Sequence, residues 1–258
     1  MKIDIDALFD KYLDDFIENN LDKYSPNQIE KMVEEIYEEF GTKPNLVLCG
    51  LSPIEYFRQK KTQELLEEFE NSFTSGSSVC DFLCRELENR KDAEDELISF
   101  SKDSSDEIAT CAVNILSQMN SEKALKSFLV DIDKGELCES LTESMIEAMV
   151  KNADMVKEDL LLIYDVNKPI HKQFLEVFAS MSKDDRVYQI LFDEYLNRKE
   201  NRAEVYGYFG KYGDDRILGY LYGEVENNEL TAIELEEIKL AIEKLGGDFD
   251  RLIVKTSH

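Results

Sequence analysis

Apolar residues recur along this chain at intervals of three and four, the spacing of one face of an α-helix. Ile5, Leu8, Phe9, Tyr12, Leu13, Phe16 and Ile17 form such a stripe over residues 4–19. "SPNQIEKMVEEIYEEFG" then carries a full set of helix signals: Ser25 as cap, Pro26 in the first turn, Gln28 closing a capping box, Gly41 as the stop. "LSPIEYF" repeats that opening with Ser52 and Glu55, while "TKPNLVLCG" is too short for a sheet and reads as a loop crossing the core. A further helix is predicted over about 62–72, and "TSGSS" (Thr74–Ser78) is the best candidate hinge, followed by a helix holding Cys80 and Cys84.

Beyond residue 90 the helical spacing acquires a longer period. One apolar column reads Ala93, Ala124, Val156, Val187, Ile217, at separations of 31, 32, 31 and 30. Four residues on stand Leu97, Phe128, Leu160, Leu191 and Leu221; a third column reads Ile132, Tyr164, Tyr195, Val225. Each copy therefore starts with an amphipathic helix. A second helix follows, with columns Ile115, Ala148, Val177, Tyr208, Ala241 and Leu116, Met149, Phe178, Phe209, Ile242. Gly213 and Gly246 fall where a helix stops in positive φ, and Asn152 is expected to serve the same purpose in its unit. Asp184–Asp185 and Asp214–Asp215 stand at the start of the next helix, where a carboxylate accepts from free backbone N–H groups. Ser121 and Asp154 occupy similar places, and Arg186 and Arg216 are expected to bridge neighbouring units to those acids.

A two-helix unit of about 31 residues ending in "FGKYGDDRILGYL" resembles the short-period bacterial HEAT-like repeats. The resemblance covers residues 91–247 as five units, clearest in the last two. Tetratricopeptide repeats are also helical pairs, but their period of about 34 and their Gly-Tyr and Pro landmarks are missing. The resemblance implies an all-α, right-handed α-solenoid of about five helix pairs. Residues 1–90 resemble no recognised family and are expected to cap the first repeat or form a small helical domain; 248–258 form a tail.

Composition fits a folded, helix-rich protein: 43% hydrophobic and 33% charged. The net charge of −26 is spread along the chain, with 24 acidic and 11 basic side chains in residues 1–100 and 32 and 19 in the remainder. Such a field opposes binding to nucleic acid or anionic lipid and favours a basic protein partner. No apolar run is long enough for a membrane span and the N-terminus lacks the blocks of a signal peptide, so a cytoplasmic location is expected. Five cysteines at irregular spacing make no disulfide framework, and with only His171 and His258 as histidines no metal site is expected.

Catalytic signatures are also missing. No GxGxxG, GxxxxGK[ST], GxSxG or HExxH occurs. "DIDKGE" lacks the acids a calcium loop needs at its fifth and twelfth positions, and His171 reads as a surface residue among polar neighbours. Neither an enzyme nor a cofactor is expected.

In HEAT-like arrays the second helices line the concave side, and outward positions stack into ladders. One ladder here reads Gln118, Lys151, Ser180, Lys211, Lys244; its neighbour reads Asn114, Glu147, Glu176, Gly207, Leu240. Tyr206 and Tyr222 lie off the apolar columns and are expected to be exposed anchors. Gly207, Gly210, Gly219 and Gly223 are expected to let helices approach closely. These features imply a non-catalytic scaffold or adaptor that binds another protein, of basic or mixed-charge surface, through Lys151, Lys211, Lys244, Glu147, Glu176, Tyr206 and Tyr222. The alternatives are a HEAT-like enzyme of the pigment-lyase kind and an acidic inhibitor that mimics nucleic acid.

Overall fold

Wherever the three-to-four spacing runs unbroken the chain is helical: the protein is all-α. The structure, a computed structural model, describes residues 3–74, 79–103 and 105–249. Among these are fifteen α-helices, four short 3-10 turns and no strand. The expected hinge, apart from Thr74, and the tail beyond residue 249 lie outside the described residues. Contacts divide the chain into two compact units between Ser121 and Glu122.

The first unit holds α1 (Ile5–Asn20), α2 (Pro26–Thr42), α3 (Pro53–Arg58), α4 (Thr62–Thr74), α5 (Asp81–Glu88), α6 (Glu94–Phe100) and α7 (Asp106–Gln118). Both predicted capping boxes form. Ser25 N donates to Gln28 Oε1 at 2.9 Å and Ser52 N to Glu55 Oε2 at 2.9 Å. Gly41 does not stop α2, which runs on to Thr42. It is buried inside the helix, and a Cβ there would lie 2.5 Å from the Phe82 ring of α5, so the residue serves close approach and not chain reversal. The loop after α2 turns through a 3-10 segment, Leu46–Leu48, and puts Leu48 alone into the core while Leu46 stays exposed. Within this unit α4 and α5 both pack against α7, which pairs with α6.

The second unit holds α8 (Glu122–Lys134), α9 (Glu139–Lys151), α10 (Lys157–Ile163), α11 (His171–Ala179), α12 (Asp185–Asn197), α13 (Arg202–Tyr212), α14 (Leu218–Asn227) and α15 (Ala232–Lys244). α11 packs on both α9 and α13, and α13 packs along α15. Of the five aligned columns three are wholly buried, whereas Tyr164, Val225 and Tyr208 in the other two are only half-buried, which corrects the sequence reading of those positions. Ala93, Ala124, Val156, Val187 and Ile217 are all fully buried, as are Leu97, Phe128, Leu160, Leu191 and Leu221. Burying each Val, Ile, Leu or Phe among them contributes roughly 1.5–3 kcal/mol. Gly210 has the role expected of it: a Cβ would lie 3.1 Å from the Cα of Ala241, so α13 and α15 touch backbone to backbone there. Gly207, Gly219 and Gly223 face no such approach, which corrects the sequence reading.

The Asp pairs divide their work between capping and bridging. Asp184 and Asp214 are the N-caps, each accepting from the backbone N–H two residues on, at 2.9 and 3.1 Å. Asp185 is left to receive Arg216 of the next pair at 2.8 Å, and Arg186 reaches back to Glu158 in the same manner. Asp154 does not cap its own helix; its Oδ1 accepts from Ser182 N at 2.9 Å, 28 residues later. Gly213 and Gly246 stop their helices at φ 76° and 79°, as predicted. Asn152 does not: its φ is −125°, and in the preceding pair Asn120, at φ 52°, is the left-handed residue instead.

Candidate functional site

The spacing of α9, α11 and α13 places one exposed face of each beside the next, and a groove of about 460 Å³ runs across them. α9 contributes Glu143, Ile146 and Glu147; α11 contributes Lys172, Gln173 and Glu176; α13 contributes Glu204 and Tyr208. Ile146 is buried and Tyr208 half-buried, which gives the groove an apolar wall. Burial, reinforced by Glu204, pushes the Tyr208 phenol up to about 12, so it stays protonated at neutral pH. Four carboxylates and one lysine line the groove, and two of the carboxylates, Glu176 and Glu204, are also paired with Lys211 and Arg198 from outside it.

Glu204 is fixed from behind. Arg198, only 6% exposed in its side chain, donates through Nη1 to Glu204 Oε2 and through Nε to Glu194 Oε1, the latter at 2.6 Å. Burial works against the Arg198 charge, but the two ion pairs outweigh it and its pKa is raised. Beside this cluster lies His171. It is half-buried and not a free surface residue as expected: Nδ1 is 2.9 Å from the Lys168 carbonyl oxygen, which accepts from it, and Nε2 is 4.0 Å from Glu194 Oε2. The flanking Lys168 and Lys172 made it read as a surface residue, while its partner Glu194 lies 23 residues away in sequence.

The residues singled out from the sequence meet different fates. Glu147 and Glu176 line the groove. Lys211 Nζ stands 3.4 Å from Glu176 Oε1, so it answers an acid of the preceding pair. Lys151 and Lys244 are exposed at the last turns of α9 and α15, where a cation complements the negative helix end. Tyr206 is fully buried, contrary to expectation, with its ring beneath the Arg202 guanidinium. It falls one turn before Gly210, on the face that α13 turns inward. Tyr222 is half-buried, and its hydroxyl accepts from the backbone N–H of Asp248 at 2.8 Å, a structural duty.

Glu143, Lys172, Glu204 and Tyr208 completed the groove without being predicted as binding residues. Glu143 and Lys172 sit one turn before Glu147 and Glu176 on the same helix faces, so extending the ladder by four residues would have found them.

A second cavity, about 560 Å³, opens beside the end of α8 and the segment before α11. Its cations are already answered: Lys168 by Asp133 at 2.6 Å and Lys134 by Asp131 at 2.7 Å. Among the described residues no group of three or more His, Cys, Asp or Glu is placed to hold a metal ion. Nor is any described helix long and apolar enough to cross a membrane. Chemically, the groove on α9, α11 and α13 offers carboxylate acceptors above an apolar wall, the complement of a lysine or arginine with its aliphatic stem. No family model, no curated protein and no solved structure matches this chain.

Proposed function

We propose that the second unit is a run of HEAT-like helix pairs, stacked as a right-handed α-solenoid, whose second helices bind a basic segment of another protein without catalysing a reaction. α4 and α5, packed against α7, would belong to the N-terminal cap. One observation carries the reading: the groove across α9, α11 and α13 is lined by Glu143, Glu147, Glu176 and Glu204 with Lys172 as its one lining cation, and although Lys211 and Arg198 answer Glu176 and Glu204 from outside it, Glu143 and Glu147 remain in excess. The net charge of −26 strengthens attraction of a cationic segment and speeds its encounter. Because Lys211 already answers Glu176, the lysine ladder is less suited to gripping an acidic partner.

Selection of peptides from a random displayed library on the full chain tests this. Enriched sequences should be rich in Lys and Arg, and enrichment should vanish for the double variant Glu147→Lys, Glu176→Lys. Reversing Lys151, Lys211 and Lys244 to Glu should preserve or strengthen it. Enrichment of acidic peptides that depends on those lysines, or of none at all, overturns the proposal.

A further inference from the structure

The face that carries the groove does not stop at α13. Gly210 brings α13 onto α15: a Cβ there would lie 3.1 Å from the Ala241 Cα and 3.5 Å from the Lys244 Cδ. One turn earlier, a Cβ on Gly207 would meet only the Glu237 carboxylate, at 3.6 Å. Glu237 and Lys244 therefore mark the edge of α15 that adjoins α13. Ile233, Glu237, Leu240 and Lys244 follow at intervals of four, three and four, so all of them share that stripe. Ile233 is 70% exposed and Leu240 41%. Two large apolar side chains thus stand open one helix beyond Glu204 and Tyr208. Leu235 lies off this stripe, one turn from the Lys239 ammonium that sits over the Phe249 ring.

Single exposed apolar residues are ordinary on a protein surface; the place of this pair is what gives it meaning. The acids in excess, Glu143 and Glu147, stand on α9, and α9, α11, α13 and α15 pack one on the next. Packed helices lie about 8–10 Å apart, so three steps separate the acids from the apolar pair by roughly 24–30 Å. Extended chain advances about 3.3 Å per residue and covers that span in about seven to nine residues. A helix, rising about 1.5 Å per residue, would need about sixteen to twenty.

We propose that the partner is an extended segment with two anchors: Lys or Arg side chains that seat against Glu143 and Glu147, and, about eight residues away, large aliphatic side chains that rest on Ile233 and Leu240. This rests on the reading of the groove as a site for a basic segment, and adds to it a second anchor and a spacing. Charge complementarity fixes the cationic end at α9. Gly207, with no side chain, leaves the α13 backbone bare between the two anchors, so the segment can lie flat across that helix. The apolar anchor supplies what the acids supply weakly, because exposed ion pairs are screened by salt whereas removal of Ile233 and Leu240 from water is not.

Four labelled peptides of equal charge, titrated with the full chain by fluorescence anisotropy, test this. The first carries Lys-Lys and, about eight residues on, Leu-Leu, in a filler of Ser and Gly. In the second both leucines are serine; in the third and fourth the leucines stand about two and about sixteen residues from the lysines. The first should bind about tenfold more tightly than each of the others, the effect of burying an aliphatic side chain. The double variant Ile233→Ser, Leu240→Ser should abolish that preference. Equal affinity for the first and second peptides overturns the inference and leaves the basic-segment reading standing, as does a preference for the third or fourth. Failure of all four to bind at low salt overturns that reading as well. Self-association of the chain that the double variant abolishes also overturns the inference, since a second copy then occupies this face. The peptide comparison on the unmutated chain decides the matter even if the variant fails to fold.

Discussion

Arg186 grips both carboxylate oxygens of Glu158 with its two terminal nitrogens, at 2.8 and 2.7 Å, across the junction from one helix pair to the next. The same guanidinium donates to Asp184, the cap of its own helix, at 2.7 Å. A single side chain thereby ties the cap of α12 to the start of α10.

That tie fixes a pH dependence. The Arg186 side chain, then its backbone N–H, hold Asp184 at about 2, below its ordinary 3.8. A folded-state pKa below the unfolded one adds stability above the ordinary value, and that contribution is lost as pH falls from there through about 2. Asp184 should therefore titrate near 2 in carboxyl-detected NMR, and Arg186→Ala should move it back toward 3.8. High salt should shrink the shift, because the Arg186 guanidinium is exposed. An Asp184 that titrates normally in the unmutated chain would refute the bridge.

Gly41→Ala should destabilise. Replacing a helical glycine by alanine ordinarily gains up to about 1 kcal/mol, an upper bound in the last turn where Gly41 stands. Here the new methyl would meet Phe82 at 2.5 Å, and the ring is itself buried against Tyr37 and Phe40. Overpacking of this kind costs about 1–3 kcal/mol, so urea unfolding should show a net loss confined to a lower midpoint with unchanged slope. A stabilised variant would mean that the ring yields and that Gly41 has another cause.

Helices, capping boxes and apolar columns were legible in the sequence because each depends on residues within one or two turns of one another. The spacing of about 31 residues between column members was legible for the same reason, since each member is set by the local pattern of its own helix. Position on a helix surface was less so. Gly41 carried the signature of a stop, but its neighbour 41 residues away, Phe82, decided its use. Tyr206 lay off the apolar column by one position, yet the close approach of α13 to α15 widened the buried face enough to include it. In the groove, Glu147 and Glu176 were found from the ladder, whereas Glu204 depended on Arg198, whose burial no local pattern announced.

Two tyrosines should respond oppositely to loss of a hydroxyl. The Tyr195 hydroxyl donates to Glu224 Oε1 at 2.7 Å, in a cluster where Glu224 also receives Arg202. The Tyr206 hydroxyl is buried and finds no hydrogen-bond partner among the described residues. A hydrogen bond to a charged group contributes about 1.5–3 kcal/mol, while an unsatisfied buried hydroxyl costs about 1–3 kcal/mol. Tyr195→Phe should thus lower stability and Tyr206→Phe should raise it, by about 1 kcal/mol or more each. Equal losses in thermal unfolding would show that Tyr206 is bonded after all.

The left-handed stops offer a sharper comparison, because two asparagines near the same place in consecutive units have opposite backbones. Asn120 stands at φ 52°, and the next N–H, that of Ser121, reaches back to the Leu116 carbonyl at 3.3 Å, closing the helix end as Gly247 does on Ile242. Asn152 stands at φ −125° and leads straight into a 3-10 turn. Left-handed backbone costs a residue with a Cβ about 1–2 kcal/mol, a cost that asparagine offsets in part and glycine escapes. Asn120→Gly should therefore be neutral or stabilising, whereas Asn152→Gly should only add chain entropy to the unfolded state and destabilise by up to about 1 kcal/mol. Gly213→Ala, at φ 76° with open space around the missing methyl, should cost about 1–2 kcal/mol for backbone strain alone. If Asn152→Gly stabilises more than Asn120→Gly, the stop in that unit lies at residue 152 and its backbone differs from the one described.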